Sequence, residues 1–201
     1  MKNNTISKFV NPFWGNAGTA SPLAVGMARN WNWLKAQTGN THPGALVPCG
    51  WVSVVPYSGA YSSGYGINGV SSCGPAPVAI DGKYARGFSH FHTSGVGYIG
   101  YFYNYFLLTP AAAGVSTDAL SRLDNEVASP GYFSGSLTDY GVDFELTAGK
   151  FAAFHRSTFV TGDSGKVTLD LELLGLDRSV VGSRKKEHIE EFEVKAAGEN
   201  R

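Results

Sequence analysis

Two histidines, His90 and His92, stand two apart in the stretch GFSHFHTSGVG at 87–97. In an extended segment that spacing points both imidazoles to one face. Such a pair could bind a metal, share a proton or hydrogen-bond sugar hydroxyls. A metal site needs a third and usually a fourth ligand, and this half of the chain offers only Asp81, Cys49, Cys73 and His42. No metal is therefore expected, which leaves histidines lining a cleft or histidines bonded to loop backbone. His42 lies in GNTHPGA at 39–45, where Gly and an X-Pro bond make a rigid turn. That turn either holds His42 at a pocket edge or is only a turn. Trp14, Trp31, Trp33 and Trp51 fall close together. Each is taken first as core filling, and the Asn-Trp-Asn-Trp run at 30–33 is the best candidate for a sugar-stacking surface. Ser94 is not set in a nucleophile elbow, and the chain has no phosphate loop, dinucleotide fingerprint or paired C-x-x-C.

Composition narrows the partners. Of 201 residues, 43% are hydrophobic and only 16% charged, against about 25% in an average domain. The formal net charge is zero, so no field draws the chain to nucleic acid or to an anionic membrane. Charge is uneven along the chain: residues 1–117 hold one acid, Asp81, and the last 84 residues hold fifteen. Of the 26 aromatic residues, 18 precede residue 111. The aromatic half thus has almost no carboxylate with which to do acid–base chemistry. Cys49 and Cys73 are too few for a disulfide scaffold and are expected as buried thiols. The opening MKNNTISKFVNPFWGN has no apolar core of signal-peptide length, and no stretch reaches the ~20 apolar residues of a membrane span. The default expectation is a soluble, cytoplasmic chain.

The elements that would position these residues are mostly strands. Trp51–Val55 reads as a short buried strand closed by Pro56, and Tyr98–Leu108 is strand-like in its aromatic content. Between them, residues 57–82 carry six Gly, two Pro and several tyrosines, the composition of a long ordered loop able to build a binding surface. Val142, Phe144 and Leu146 alternate with polar residues, and Ala148-Gly149 turns the chain back, so 142–159 is a hairpin. Val167, Leu169, Leu171 and Leu173 mark another strand. Ser116–Val127 reads as a short helix capped by Ser116. The pattern predicts a mainly β chain: an antiparallel sandwich over 1–183 with long loops and little helix. The charged tail, 184–201, is read as a truncated continuation of that sandwich.

Five collinear segments resemble one family. VNPFWG at 10–15, GNTHPGALVPCGWVSVVP at 39–56, GFSHFHTSGVG at 87–97, NEVASPGYFSGSL at 125–137 and GVDFELTAGKFAAFHRSTF at 141–159 are similar to the N-terminal segment of glycoside hydrolase family 92. The resemblance implies an antiparallel super-sandwich of galactose-mutarotase-like form, followed in the family by a helical (α/α)6 domain. Family members are calcium-dependent, inverting exo-α-mannosidases whose catalytic carboxylates and calcium ligands come from the helical domain. On this resemblance no catalytic residue and no metal ligand belong to this chain, and calcium is expected only in the missing catalytic domain. The substrate-binding candidates are His90, His92, Ser94, His42, Trp51 and Tyr65. Tyr65 stands in SSGYGINGVSSCG, where many members carry a Trp-rich motif.

The reading is a non-catalytic N-terminal domain contributing part of a carbohydrate-binding cleft. Its partners are a mannose-containing glycan or related sugar and the helical domain, with self-association where the docking face is left open. The alternatives are a stand-alone carbohydrate-binding module and a small mutarotase-like enzyme using His90 and His92.

Overall fold

The computed structural model describes residues 7–14, 16, 41–57, 65, 83–90, 106–160 and 164–171. After a 3-10 turn at Ser7–Phe9 come β1 (Ala45–Leu46), β2 (Ser53–Tyr57), β3 (Tyr84–Ala85), β4 (Gly87–Ser89) and β5 (Leu107–Ala112). Then follow β6 (Ser121–Ser129), β7 (Tyr132–Leu137), a 3-10 turn at Thr138–Tyr140, β8 (Val142–Ala148), β9 (Ala153–Phe159) and β10 (Gly165–Asp170). Among the described residues these form two five-stranded antiparallel sheets, in the orders β1-β2-β4-β5-β10 and β3-β6-β7-β8-β9. The chain changes sheets within three residues: β3 pairs with β6, β4 pairs with β2, and Arg86 between them donates its N–H to the Tyr57 carbonyl at 2.9 Å. Strands that switch sheets in this way form the corners of sandwiches.

The core lies between the sheets. On β8 the alternating Val142, Phe144, Leu146 and Ala148 are buried, and they meet Val54, Val55 and Phe88 of the other sheet within one hydrophobic cluster. Phe144 is its hub, with ring centroids 4.7 Å from Phe88 and 5.9 Å from Phe133. The expected hairpin forms: β8 and β9 pair from Val142↔Phe159 to Ala148↔Ala153, closed by the Gly149 N–H on the Ala152 carbonyl at 2.8 Å. The alternating run beginning at Val167 forms β10, whose Val167 and Leu169 are 57% and 50% exposed.

Several local expectations fail for identifiable reasons. Ser121–Ser129 is a strand, not a helix. Ser116 accepts the Asp118 N–H at 3.2 Å and donates to its carboxylate at 2.8 Å, a closed turn that mimics a cap. Downstream, Leu123 donates to the Lys83 carbonyl at 2.8 Å and pairs with Leu137, so tertiary ladders override local propensity. Pro56 does not close β2, which continues to Tyr57 and places Pro56 opposite Phe88. Trp14 and Trp51 are 76% and 75% exposed rather than core, and Cys49 is an exposed thiol. Residues 98–105, Trp31, Trp33, Cys73 and the 184–201 tail lie outside the described residues.

Candidate functional site

One end of the sandwich gathers the connections β1–β2, β6–β7 and β8–β9. Tyr132, the first residue of β7, sits opposite Thr147 near the end of β8, so the turns at 130–131 and 149–152 come out on the same side. Thr147 clips them by donating to the Gly131 carbonyl at 2.8 Å. The β1–β2 loop joins them through Trp51, whose backbone N–H donates to the Lys150 carbonyl at 2.8 Å. Within that loop Gly50 donates to Val47 at 3.0 Å and Cys49 takes a left-handed φ of 58°. This non-glycine αL residue folds the loop tightly enough to turn Trp51 outward. Phe151, 70% exposed, stands on the adjoining turn with the Lys150 ammonium 5.2 Å from its ring centroid. The rim thus presents two exposed aromatic side chains on loops tied to each other by backbone. No carboxylate occurs among its described residues, 47–52, 130–131 and 149–152.

Behind the rim a histidine pair bridges the sheets. His90 follows β4, accepts the Ser53 N–H on its carbonyl at 3.0 Å and is 6% exposed. Its Nε2 lies 2.9 Å from Nε2 of His155, which β9 holds opposite Leu146. The His90 ring also packs on Phe106 at 4.6 Å, and His155 lies 5.5 Å from Phe88. Burial, reinforced by His155, pushes the His90 pKa down to about 4. Burial does the same to His155, to about 4. At neutral pH both rings are therefore uncharged, and one Nε2–H donates to the other's lone pair. The Nδ1 atom of His155 is buried with no hydrogen-bond partner among the described residues.

His42 is 6% exposed, and its Nδ1 accepts the Gly44 N–H at 3.2 Å, so its turn is cross-braced by its own side chain. Gly44 lies so close to the Val54 carbonyl and the Val55 side chain that a Cβ there would overlap them. Tyr65 is 1% exposed and belongs to a different cluster. Its hydroxyl donates to Glu126 Oε1 at 2.5 Å and accepts from Lys83 Nζ at 3.2 Å, while Lys83 and Glu126 form a close ion pair. Burial first, then the Glu126 charge, raises the Tyr65 phenol far above its ordinary range. Glu126 reaches inward because β6 carries a bulge between Asp124 and Val127. Strands β6 and β9 are separated by β7 and β8, about 14 Å at the usual interstrand spacing, so Tyr65 and His90 do not share a site. His92 and Ser94 lie outside the described residues.

Of the six candidates, then, Trp51 is at the open rim, His90 is just behind it, and His42 and Tyr65 are buried where they brace the fold. His155 and Phe151 carried no assigned role in the sequence reading. His155 was visible only as part of the FHRSTF segment, and its partner is 65 residues away. Among the described residues no three of His, Cys, Asp or Glu converge on a possible metal position. No helix among them is long and apolar enough to cross a membrane.

Two packed antiparallel sheets, with an aromatic rim that carries no carboxylate among its described residues, define a β-sandwich domain built to present loops at one end. Residues 9–199 match the glycosyl hydrolase family 92 N-terminal domain, and the chain belongs to that family. Among solved structures it is similar to a family 92 α-mannosidase from Bacteroides thetaiotaomicron, at 26% identity with a TM-score of 0.59. The match covers 83% of this chain and 20% of that one. The same mannosidase in complex with mannoimidazole matches at the same 26% identity, coverage of 83% and 20%, and TM-score of 0.59. The family 92 glycosyl hydrolase ccman5 shares the fold, at 22% identity and a TM-score of 0.56 over 84% of this chain and 21% of its own. This chain therefore spans about a fifth of the length of the solved mannosidases it resembles. No curated protein matches it.

Proposed function

We propose that this chain is the non-catalytic N-terminal sandwich of a family 92-like α-mannosidase, contributing one wall of a carbohydrate-binding cleft to a helical (α/α)6 domain. The observation that carries the reading is the rim: Trp51 and Phe151, 75% and 70% exposed on mutually anchored loops, with no acid among the rim's described residues. Aromatic faces bind the C–H surfaces of sugar rings, whereas inverting hydrolysis needs two carboxyls ~6.5–9.5 Å apart. The rim has the first and lacks the second among its described residues. The chemistry is accordingly assigned to the other domain, and so is the calcium that the family resemblance implies. The neutral His90–His155 pair fixes the strand behind Trp51 and keeps charge away from the cleft wall. A mannose-containing glycan is the substrate class this reading assigns.

The test is Trp51→Ala in the protein that carries both domains. A stacking contact worth about 1 kcal/mol corresponds to roughly a fivefold loss of affinity, expected in KM for an α-mannoside with kcat little changed. Wild-type KM and kcat in the variant would overturn the assignment of the rim.

A further inference from the structure

Sheet β3-β6-β7-β8-β9 turns its second face away from the core, and that face is not flat. Asn125, Tyr132, Ser134, Ser136, Asp143 and Glu145 line an open concavity of about 390 Å³, walled on the far side by Thr158. A smaller one of about 220 Å³ shares Tyr132 and Glu145 with it and continues toward Thr147, Phe154 and Arg156. The two form a single groove across β7, β8 and β9, starting beside the rim turns and ending at Asp143 and Thr158. Its combined size is that of small-molecule sites, which run about 300–1,000 Å³. The hollow follows from the bulge in β6. Asn125 takes a left-handed φ of 54° there, and two residues oppose the space of one on β7. Bulges bend a strand and re-aim a side chain, and here the Asn125 amide is delivered to Ser136 Oγ at 3.1 Å.

The lining is pre-oriented. Ser136, itself buried, donates to Asp143 Oδ1 at 2.6 Å, which fixes that carboxylate while Oδ2 accepts nothing among the described residues. Tyr132 donates to Glu145 Oε1 at 2.8 Å, and Arg156 pairs with the other oxygen. These contacts, Tyr132 first, hold the Glu145 carboxyl below the usual carboxylate range, so it is ionised at neutral pH. Alongside stands Phe154, 64% exposed on the outward face of β9. Fixed carboxylate and amide acceptors, hydroxyls on both walls and an exposed aromatic ring at one end match a neutral polyhydroxyl ligand. Two carboxylates against one guanidinium exclude an anionic one.

We propose that this outer groove is a second carbohydrate site, taking a neutral oligosaccharide segment with one sugar ring on Phe154 and hydroxyls on Asp143, Ser134 and Asn125. It is separate from the rim, since Trp51 and Phe151 sit on the end loops and the groove residues on the outer sheet face. The lining alone gives the ligand class, and the cleft reading is used only to choose probes.

The test is amide chemical-shift mapping of the full chain titrated with mannotetraose, cellotetraose and a galacturonate tetramer. A neutral tetramer is expected to bind saturably at millimolar concentration, shifting the amides of Ser134, Ser136, Asp143 and Thr158. Asp143→Ala and Phe154→Ser, both at exposed positions, should each weaken it by about fivefold or more, the loss of roughly 1 kcal/mol, while Trp51→Ala leaves it unchanged. Shifts confined to residues 47–52 and 149–152, and abolished by Trp51→Ala, would overturn the groove while supporting the rim. Absence of saturable shifts with both neutral tetramers, or tighter binding of the galacturonate tetramer, would also overturn it.

Discussion

Acidification should loosen the sandwich through its histidine bridge. His90 and His155 each have a folded-state pKa near 4 against 6.5 for a free imidazole. Between those values the unfolded chain binds more protons than the folded one, so stability falls as pH falls through that window and levels off below it. At about 1.4 kcal/mol per unit, one fully desolvated histidine would cost about 3 kcal/mol. The two do not add fully: His155 is partly open to water, which screens it, and a proton shared between facing Nε2 atoms retains a charge-assisted hydrogen bond. A combined loss of roughly 3–4 kcal/mol between pH 7 and pH 4 is expected from the pair. Urea denaturation across that range measures it, with His155→Phe as the comparison because it removes one titrating ring and keeps a ring on Phe88. Because His90 still titrates in it, the variant should lose roughly 1 kcal/mol less than the wild type between pH 6.5 and 4. Equal slopes in the two proteins would show that the bridge does not titrate as argued.

Other consequences are tested more simply. Phe144→Ala empties the hub between Phe88 and Phe133 and should cost about 3–5 kcal/mol in denaturant unfolding, the usual range for a buried phenylalanine. Glu126→Gln removes the charge facing Lys83 while keeping an acceptor for Tyr65; with Lys83 partly exposed the loss should be about 2 kcal/mol, and Lys83→Met in the same background should recover part of it. Exposed Trp14, Trp51, Phe151 and Phe154 should make the isolated chain self-associate, so its sedimentation coefficient should rise with concentration, and Trp51→Ser should reduce that rise.

Strands whose apolar residues alternate were legible because a period of two carries its own assignment. Val142, Phe144 and Leu146 are the clearest case, and the turn at Ala148-Gly149 locates their hairpin. Ser121–Ser129 was not legible, since Asp124, Asn125 and Glu126 break the alternation where the bulge inserts its extra residue. The same bulge explains the site residues that sequence could not place. It turns Glu126 inward to Tyr65 and Lys83, and Asn125 outward to Ser136. His90 stood out through its local spacing with His92, yet its observed partner, His155, comes from the other sheet. Trp51 sits in a run of strand-forming residues and still points outward, because the Cys49-Gly50 turn and the bond to Lys150 precede β2. Each miss is a long-range pairing or a backbone irregularity, neither of which leaves a periodic trace.

The central claim is that this sandwich recognises sugar without hydrolysing it. Its most direct test is an α-mannosidase assay of the purified 201-residue chain, with calcium and with chelator, before and after addition of the separately produced helical domain. The account predicts no turnover by the chain in either condition and calcium-dependent release of mannose once the two domains are combined. Mannose release by the chain alone, surviving repurification, would contradict it.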